Sequence, residues 1–404
     1  MKWYEWRMNI LFAWEWGAGV SHLVRFWPLA DRLREQGHRV VLALRDLTHV
    51  GQCYSLKTVP LYQSPTLTGF VSAKRDFPQT FADLAWNLGY DSVERIAAQV
   101  QAYRRIMVNE SIETVVSDFG LSASIAARSL GLRRIRIGTG FECPPLTAPL
   151  TNLLYAEPSP PSLPADDSLG SPEKAVLENI NHAMRIIGGG EFHAFRQAIG
   201  DAGKTLLASV EELDPYAGSP EREYLGTWDV SNGRAPRWPD LDGHKVIAYL
   251  KPFPALPAIL RQLVDLGCNV ALVSDGIPAT LLQSLGPRVV LQDGHVDLQA
   301  AARQCDFAIA NCNHGMSIRM LSLGVPMIGF PSFFEQRIHA GCLRAHRLAI
   351  AMSPSAPERF DEAVRRATSP AAKHAVGRFS DKYSATLRNS LHHTWITLDA
   401  MINE

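Results

Sequence analysis

Four short segments of the sequence place polar side chains where they could do chemistry. The first is the turn Gly17-Ala18-Gly19, which His22 follows three residues later. A dinucleotide-binding turn would have a third small residue at position 22, so that the helix could pack closely on the sheet. A histidine there offers instead an imidazole that exchanges a proton near neutral pH. We interpret His22 as a functional base, with helix capping as the structural alternative.

The second candidate is Asp118, which comes just after the apolar pair Val115-Val116. A carboxylate at the carboxyl end of a strand in an α/β sheet commonly lies in the binding crevice. If the fold brings Asp118 beside His22, the two residues form a general base and the carboxylate that orients it. Aspartate is also a good N-cap for a following helix. The sequence leaves both roles open.

The third candidate is a polar turn between a strand and a helix. It contains one glycine and runs Asn311-Cys312-Asn313-His314-Gly315-Met316-Ser317. Backbone N–H groups at the start of such a helix bind a diphosphate well. The turn therefore predicts a phosphate-binding site, and its single glycine leaves an ordinary turn as the alternative.

The fourth candidate is the pair Glu335-Gln336, which follows the strand predicted over residues 326–330. An adjacent acid and amide can hydrogen-bond neighbouring hydroxyl groups of a sugar. An acid at a helix N-terminus would explain Glu335 equally well.

The elements that must position these residues follow an α/β alternation. Short apolar runs of the kind buried in parallel sheets are separated by helical patterns. They lie at residues 9–13, 40–44, 115–116, 135–137, 246–250, 270–273, 289–291, 307–310 and 326–330. The alternation restarts after a Pro- and Gly-rich break at residues 215–243. The fold class is therefore two doubly wound, Rossmann-like α/β domains, and residues 143–172 are expected to form a long surface excursion.

We place an N-terminal, acceptor-binding domain at residues 1–221 and a C-terminal, donor-binding domain at 222–380. Residues 381–404 are predicted to form a helix that packs back on the N-terminal domain. A chain of 404 residues exceeds a single hydrophobic core, which supports two domains.

Composition narrows the class of protein further. Forty basic and forty acidic residues give a net charge of zero, which argues against nucleic acid or an anionic membrane as the main partner. The six cysteines are scattered without a C-x-x-C pair and indicate reduced thiols. The apolar run at residues 8–14 ends at Glu15 without a cleavage site, and no stretch is long enough to span a bilayer. We expect a cytoplasmic protein, and the sequence does not indicate its oligomeric state.

Together these segments resemble the family-1 glycosyltransferases, and in particular their bacterial branch. The spacing of that family's donor-binding signature is matched without a gap by Asn311, Gly324-Val325-Pro326, Pro331, Glu335-Gln336 and His339-Ala340. The beginning of the chain, Gly19-Val20-Ser21-His22 followed by Arg25, is similar to the family's Gly-His-x-x-Arg start. The segments 138–145 and 212–216 are also similar to bacterial members.

The resemblance implies the two-domain GT-B fold and a single inverting displacement that transfers a sugar from a nucleotide-diphosphate sugar, UDP- or dTDP-linked, to a small-molecule acceptor. It implies that His22 is the base, Asp118 orients it, and Glu335 and Gln336 contact the donor sugar. Further donor-binding residues would be Val296 at the nucleotide base and the turn residues Asn311, Asn313, His314, Gly315 and Ser317. Gly19, Arg25 and Lys251 are candidates for phosphate or acceptor contacts. The resemblance implies no metal and no cofactor, and the sequence has no Asp-x-Asp triplet at a strand end.

Several positions depart from the family pattern. The family's His-Gly-Gly is here Asn311-Cys312-Asn313, and its threonine is Met316. Two other classes therefore stay open: an inactive GT-B-like binding or auxiliary protein, and a nucleotide-sugar 2-epimerase. The aromatic residues between positions 70 and 90 suggest an apolar or aromatic acceptor, although such residues are more often part of a core.

Overall fold

The computed structural model describes residues 7–17, 19–48, 50–52, 59–67, 75, 78–153, 172–228, 233–355 and 358–404. Within these ranges the chain forms two six-stranded sheets, each flanked by helices, and every strand pair in them is parallel. The predicted fold class is confirmed. The division at residue 222 stays a prediction.

The N-terminal sheet has the strand order β3-β2-β1-β4-β5-β6. Its strands are β1 (Asn9–Trp14), β2 (Arg39–Leu44), β3 (Leu61–Gln63), β4 (Thr114–Asp118), β5 (Arg133–Gly138) and β6 (Thr205–Leu207). Its helices are α1 (Ser21–Glu35), α2 (Phe81–Ala85), α3 (Val93–Asn109), α4 (Leu121–Ser129), α5 (Pro172–Ile186) and α6 (Phe195–Ile199). The strand order reverses between β1 and β4, which is where ligands bind in open α/β sheets.

The C-terminal sheet repeats this plan with the order β12-β11-β10-β7-β8-β9. Its strands are β7 (Lys245–Tyr249), β8 (Asn269–Val273), β9 (Val289–Leu291), β10 (Phe307–Ala310), β11 (Met327–Gly329) and β12 (Ala349–Ala351). The helices that follow are α7 (Leu256–Asp265), α8 (Ala279–Leu285), α9 (Leu298–Ala302), α10 (His314–Ser322), α11 (Phe334–Ala345), α12 (Phe360–Ala367) and α13 (Pro370–Asn403). The strand order of this sheet reverses between β7 and β10, which is therefore its switch point.

Successive side chains along each central strand point to opposite faces of the sheet, and each face is buried in a core. Leu11 and Ala13 of β1 belong to one buried cluster, whereas Ile10, Phe12 and Trp14 belong to the cluster on the other face. Both faces are apolar because helices cover both, and this explains why the central strands are continuous apolar runs.

The last helix, α13, contacts both halves of the molecule. Its first part contributes Val376, Phe379 and Tyr383 to a core cluster of the C-terminal half. Its last part contributes Trp395 and Leu398, among others, to the β1–α1 core of the N-terminal half. One continuous helix of 34 residues therefore ties the two sheets together.

The structure extends the sequence-based prediction at the sheet edges and corrects it in one loop. All nine predicted runs overlap strands, but the three-residue strands β3, β6 and β12 were missed. Residues 143–153 are not a surface excursion, because Leu150 and Leu153 are buried in the N-terminal core. The rest of that expected excursion up to residue 171 lies outside the described residues. In the described parts of the chain, no helix combines the length and apolarity needed to cross a membrane.

Candidate active site

His22 lies at the carboxyl edge of the N-terminal sheet. Strand β1 ends at Trp14, the chain turns at Gly17 and Gly19, and α1 begins at Ser21. His22 is the second residue of α1 and its N-cap position is Val20, so His22 does not cap the helix. Gly17 has φ +83°, and a Cβ at this position would lie 2.7 Å from His22 Nε2. Glycine thus allows the turn and leaves room at the outer ring nitrogen.

Asp118 is the last residue of β4 and stands beside the end of β1. Trp14 and Asp118 are partners in the register of these two strands. The Nδ1 atom of His22 lies 3.0 Å from Asp118 Oδ2, and both side chains are buried. The Nδ1–H direction is not aligned for a hydrogen bond, so in this state the contact is mainly electrostatic. Misaligned catalytic contacts of this kind are common before a substrate binds.

The structure excludes one of the two roles left open for Asp118, the capping of helix α4. Helix α4 begins at Leu121 with Gly120 at the N-cap position and no side-chain cap. Asp118 is therefore not the cap of α4. The indole of Trp14 stacks on the His22 ring, with a centroid separation of 4.8 Å and an angle of 16° between planes. These contacts hold the imidazole between an aromatic face and a buried carboxylate.

Arg25 and Glu142 complete a buried charged cluster around His22. One turn along α1, Arg25 donates through Nη1 to Asp118 Oδ2 at 2.6 Å, the same oxygen that faces His22. Its Nη2 reaches Glu142 Oε1 at 3.5 Å. Arg25, predicted as a candidate phosphate or acceptor contact, thus bridges two carboxylates.

His22, Asp118 and Glu142 each offer one ligand atom within 4.8 Å of the others, a spacing that a metal ion could also use. The Arg25 guanidinium already contacts both carboxylates in this cluster and offsets their charge. Burial raises the pKa of Glu142, but the charges of Arg25 and His22 and hydrogen bonds from Thr139 outweigh it and lower that pKa below its usual range. We therefore assign this cluster to the guanidinium rather than to a metal.

Helix α11 of the C-terminal half forms the opposite wall. A small cavity between the halves is lined by Thr139 and Phe141 on one side and by His314, Glu335 and His339 on the other. Burial and the nearby Glu142 raise the pKa of the half-buried Glu335. Burial lowers the pKa of His339 to about 4 and holds the pKa of His314 well below its usual range, so both rings are neutral at neutral pH.

Glu335 and Gln336 have different surroundings although they are adjacent. Glu335 faces the cavity. The side-chain oxygen of Gln336 accepts hydrogen bonds from the backbone N–H groups of Ser332 and Phe333, at 2.8 and 3.2 Å. Gln336 therefore helps to begin α11, whereas Glu335 is directed to the site.

The predicted phosphate-binding turn lies at the switch point of the C-terminal sheet. Helix α10 begins at His314 with Asn313 as its N-cap, and the position of a Cβ on Gly315 is open. Ser317 is fully buried, and its Oγ has no hydrogen-bond partner among the described residues. His314 Nε2 lies 2.8 Å from Ser209 Oγ, so this ring binds across to the segment that follows β6.

Asn311 joins the ends of three strands. Its Oδ1 accepts from the backbone N–H of Lys251 at 2.7 Å, and its Nδ2 donates to the carbonyl of Phe330 at 3.0 Å. The next residue, Cys312, has φ +59°, a region that glycine occupies more easily and where the family pattern has glycine. The amide of Asn311 is thus engaged by backbone groups rather than free for a ligand.

The remaining predicted residues lie around this centre. Val296 is buried in the C-terminal core and its backbone pairs with Arg234. The side chain of Lys251 is exposed at the end of β7. Gly19 has φ +106° in the turn before α1, with no atom within 4 Å of a Cβ built there.

An aromatic cluster adjoins the His22 turn. Trp16 packs against Phe119 and Tyr90 with ring centroids 5.3 and 5.6 Å apart. Phe141 contacts Phe119 at 5.8 Å and Phe334 of the C-terminal half at 6.1 Å. Phe70 and Phe77 from the predicted aromatic stretch lie outside the described residues. The wall next to His22 is therefore largely apolar.

Glu142, Thr139 and His339 were missed as separate site residues by the sequence reasoning. Glu142 follows β5 at the same edge of the sheet as Asp118, so the rule that directed attention to Asp118 also applies to it. The residues between the end of β5 and Glu142, Thr139 to Phe141, have no pattern that would predict a glutamate lying over the sheet. The signal was present only as a polar residue shortly after a strand.

Two Rossmann-like sheets with the cleft between them have the architecture of the GT-B fold. Comparison with solved structures agrees over nearly the whole chain. The chain is similar to CalG4, the calicheamicin glycosyltransferase (16% identity, TM-score 0.72, 98% of both chains). It is also similar to the glycosyltransferase VinC in complex with dTDP (16%, 0.64, 96% of this chain and 99% of that chain) and to the spinosyn rhamnosyltransferase SpnG complexed with spinosyn aglycone (16%, 0.62, 98% and 100%).

At these identities the likeness establishes the fold, and it confirms the GT-B expectation at that level. No protein-family profile matches the chain. One curated sequence, a carbamoyl phosphate synthase small chain from Thioalkalivibrio sulfidiphilus, is 34% identical over 105 residues. That stretch spans 26% of this chain and 24% of the relative, so it does not assign a family.

Proposed function

We propose that the protein is a glycosyltransferase that moves a sugar from a nucleotide-diphosphate sugar to a small-molecule acceptor with inversion. One observation carries the proposal: a buried His22–Asp118 pair, with its ring nitrogen and carboxylate oxygen 3.0 Å apart, at the switch point of the N-terminal sheet. The facing wall of the cleft carries the start of α10 and the carboxyl group of Glu335. The relatives named above support the choice of substrates, since VinC was solved with dTDP and SpnG with an aglycone.

In this proposal Nδ1 of His22 faces Asp118, which leaves Nε2 to accept the acceptor's hydroxyl proton. The acceptor oxygen forms a bond to the anomeric carbon while the bond from that carbon to the diphosphate oxygen breaks. The nucleoside diphosphate leaves with the bonding electron pair. Backbone N–H groups and the dipole at the start of α10 would offset its charge without a metal. Phe141, which lines the cavity between the halves, supports an apolar or aromatic acceptor.

Replacement of the base tests the proposal. General-base catalysis is typically worth 10²–10⁴-fold, so we expect His22→Ala to lower turnover by about that factor. Donor affinity should stay near the wild-type value, because His22 lies on the half opposite α10. Turnover with a panel of UDP- and dTDP-sugars and a fixed aromatic acceptor, together with donor affinity by calorimetry, measures both. A folded, donor-binding His22→Ala protein that turns over at the wild-type rate would overturn the proposal.

A second candidate is a protein that binds a nucleotide sugar without turning it over. The engaged amide of Asn311 and the positive φ of Cys312 favour it, because they alter the turn that would bind the diphosphate. Donor binding without release of nucleotide in the presence of any acceptor would support this candidate.

A further inference from the structure

We propose that Glu142 is a positioning residue for the base: it holds Arg25 against Asp118 and supplies the second negative charge that a protonated His22 ring needs in buried surroundings. The proposal rests on the proposed function for the reaction that this base serves. It assigns a task to a charged pair, Arg25 and Glu142, that the base and its orienting carboxylate alone do not account for.

Glu142 is fixed in place independently of Arg25. Its Oε2 accepts hydrogen bonds from the backbone N–H and the Oγ1 of Thr139, at 2.8 and 2.7 Å. Gly138 leaves the space for it, since a Cβ there would lie 3.1 Å from Glu142 Cβ. The other oxygen, Oε1, is left to face Arg25. The loop after β5 thus presents a pre-oriented carboxylate to the guanidinium.

The charge balance of the cluster explains why a second carboxylate is present. Asp118 shares one oxygen between His22 and Arg25, so the guanidinium offsets the charge that the ring would otherwise face. With Glu142 included, the cluster carries one net negative charge while His22 is neutral, and none once His22 takes a proton. Without Glu142, the same proton would leave one unbalanced positive charge in a buried site, which is costly.

The groups around His22 on every packed element are consistent with this balance. Trp14 of β1 contributes only an aromatic face, and Glu15 after β1 binds Ser122 instead. Cys143 stays a neutral thiol because burial raises its pKa to about 12. From α11, Glu335 faces the cluster, and burial together with Glu142 raises its pKa. Glu142 is therefore the second carboxylate of the cluster, and its own hydrogen bonds and ion pair keep it ionised.

Loss of a negative charge and loss of a positive charge should shift the pH at which the His22 ring is protonated in opposite directions. Glu142→Gln keeps the shape and removes a negative charge, so the ring should lose its proton at a pH lower by about one unit. Arg25→Met removes a positive charge and should move the same transition to higher pH. Glu142→Gln should also lower turnover about tenfold, because a weaker base takes up the proton less readily.

The direct measurement is the pH titration of the His22 ring by ¹³C–¹H NMR of histidine-labelled protein, with its signal assigned by its loss in His22→Gln. Glu113→Gln is the matched control, because Glu113 is exposed at the opposite edge of the same sheet.

No donor or acceptor is needed for this titration, so its result is independent of the proposed enzyme function. Shifts of opposite sign in a protein without turnover would leave the charge arrangement intact and refute the enzyme. Absent shifts, or shifts of the same sign in Glu142→Gln and Arg25→Met, would refute the role of Glu142. If Glu142→Gln does not fold, Glu142→Asp replaces it: this change keeps the charge but shortens the reach to Arg25, so the transition should fall to lower pH by less than one unit, and an unchanged transition would refute the role of Glu142.

Discussion

At the scale of single residues, the site depends on side chains that are buried and charged at the same time. Asp118 and Glu142 are both buried carboxylates, and each has partners that compensate the loss of water. Such groups are costly to bury alone and tolerable in a connected network. A substitution of one side chain in this network should therefore change the interactions of the others.

The adjacent residues Glu335 and Gln336 should respond differently to mutation. Glu335→Ala should weaken binding of a nucleotide sugar by about 1.5–3 kcal/mol, the usual worth of a hydrogen bond to a charged group, and leave binding of the bare nucleoside diphosphate nearly unchanged. Gln336→Ala removes the acceptor for two backbone N–H groups, so it should lower the melting temperature and weaken both ligands. Calorimetric titration of both ligands into both variants measures this. Equal weakening of the two ligands by Glu335→Ala would argue that Glu335 is structural.

Glu15 makes stability depend on pH. Burial raises the pKa of Glu15 to about 7, although hydrogen bonds from Ser122 partly oppose the shift. The folded protein therefore holds this proton more tightly than the unfolded chain does. The resulting stabilisation is complete below the unfolded value near pH 4.5 and is lost as the pH rises through about 7.

Glu15→Gln should remove that dependence. Relative to the variant, the wild-type protein should lose roughly 3 kcal/mol of unfolding free energy between pH 4.5 and pH 8, the worth of such a pKa shift. Urea unfolding of both proteins at the two pH values gives the difference, and all other titrating groups cancel. A difference that does not change with pH, or that changes in the opposite direction, would contradict the burial argument.

At the scale of elements, the sequence predicted the central strands and missed the edges for a physical reason. Central strands are apolar on both faces because helices cover both, and this produces runs such as residues 9–13. The edge strand β3 is only three residues long and half exposed, so it has no such pattern. Asp118 could be predicted because it directly follows a recognisable strand. Glu142 also follows a strand, but not directly, so its place over the sheet depends on the fold of the loop after β5, which the sequence does not reveal.

The end of helix α13 should contribute substantially to the stability of the N-terminal half. Trp395 is buried in its core and Arg32 lies over the indole ring, 5.6 Å from the centroid. Trp395→Ala should cost about 3–5 kcal/mol, as is usual for an aromatic residue removed from a core. The neighbouring Ile396 is 52% exposed and is the matched control. Thermal unfolding compares the two, and equal losses would show that the end of α13 is not part of this core.

At the scale of the whole molecule, the groups that the proposed reaction would use come from both halves. The N-terminal half contributes the buried charged cluster around His22. The C-terminal half contributes the start of α10 and the carboxyl group of Glu335. In the proposed reaction the backbone N–H groups and the dipole at the start of α10 offset the charge of the leaving diphosphate. The proposed reaction would therefore need no divalent ion.

Turnover should therefore survive removal of metals. Activity after dialysis against EDTA should equal the untreated rate, and added magnesium or manganese should leave it unchanged. A protein incubated without EDTA through the same dialysis is the control. Loss of activity with EDTA and its recovery with magnesium or manganese would mean that His22, Asp118 and Glu142 bind an ion after all, since their ligand atoms have suitable spacing.

The path of helix α13 has a consequence for how the two sheets could move relative to each other. The chain passes from one half to the other between Trp228, which donates to the carbonyl of Val24, and Arg234, which pairs with Val296. It returns along α13, and the two passages touch where Ser390 donates to the carbonyl of Thr227 at 2.7 Å. The two covalent connections between the halves therefore contact each other at one place. We therefore expect any opening of the cleft to be a rotation about the contact between Thr227 and Ser390, with the largest separation at the end of the cleft remote from that contact.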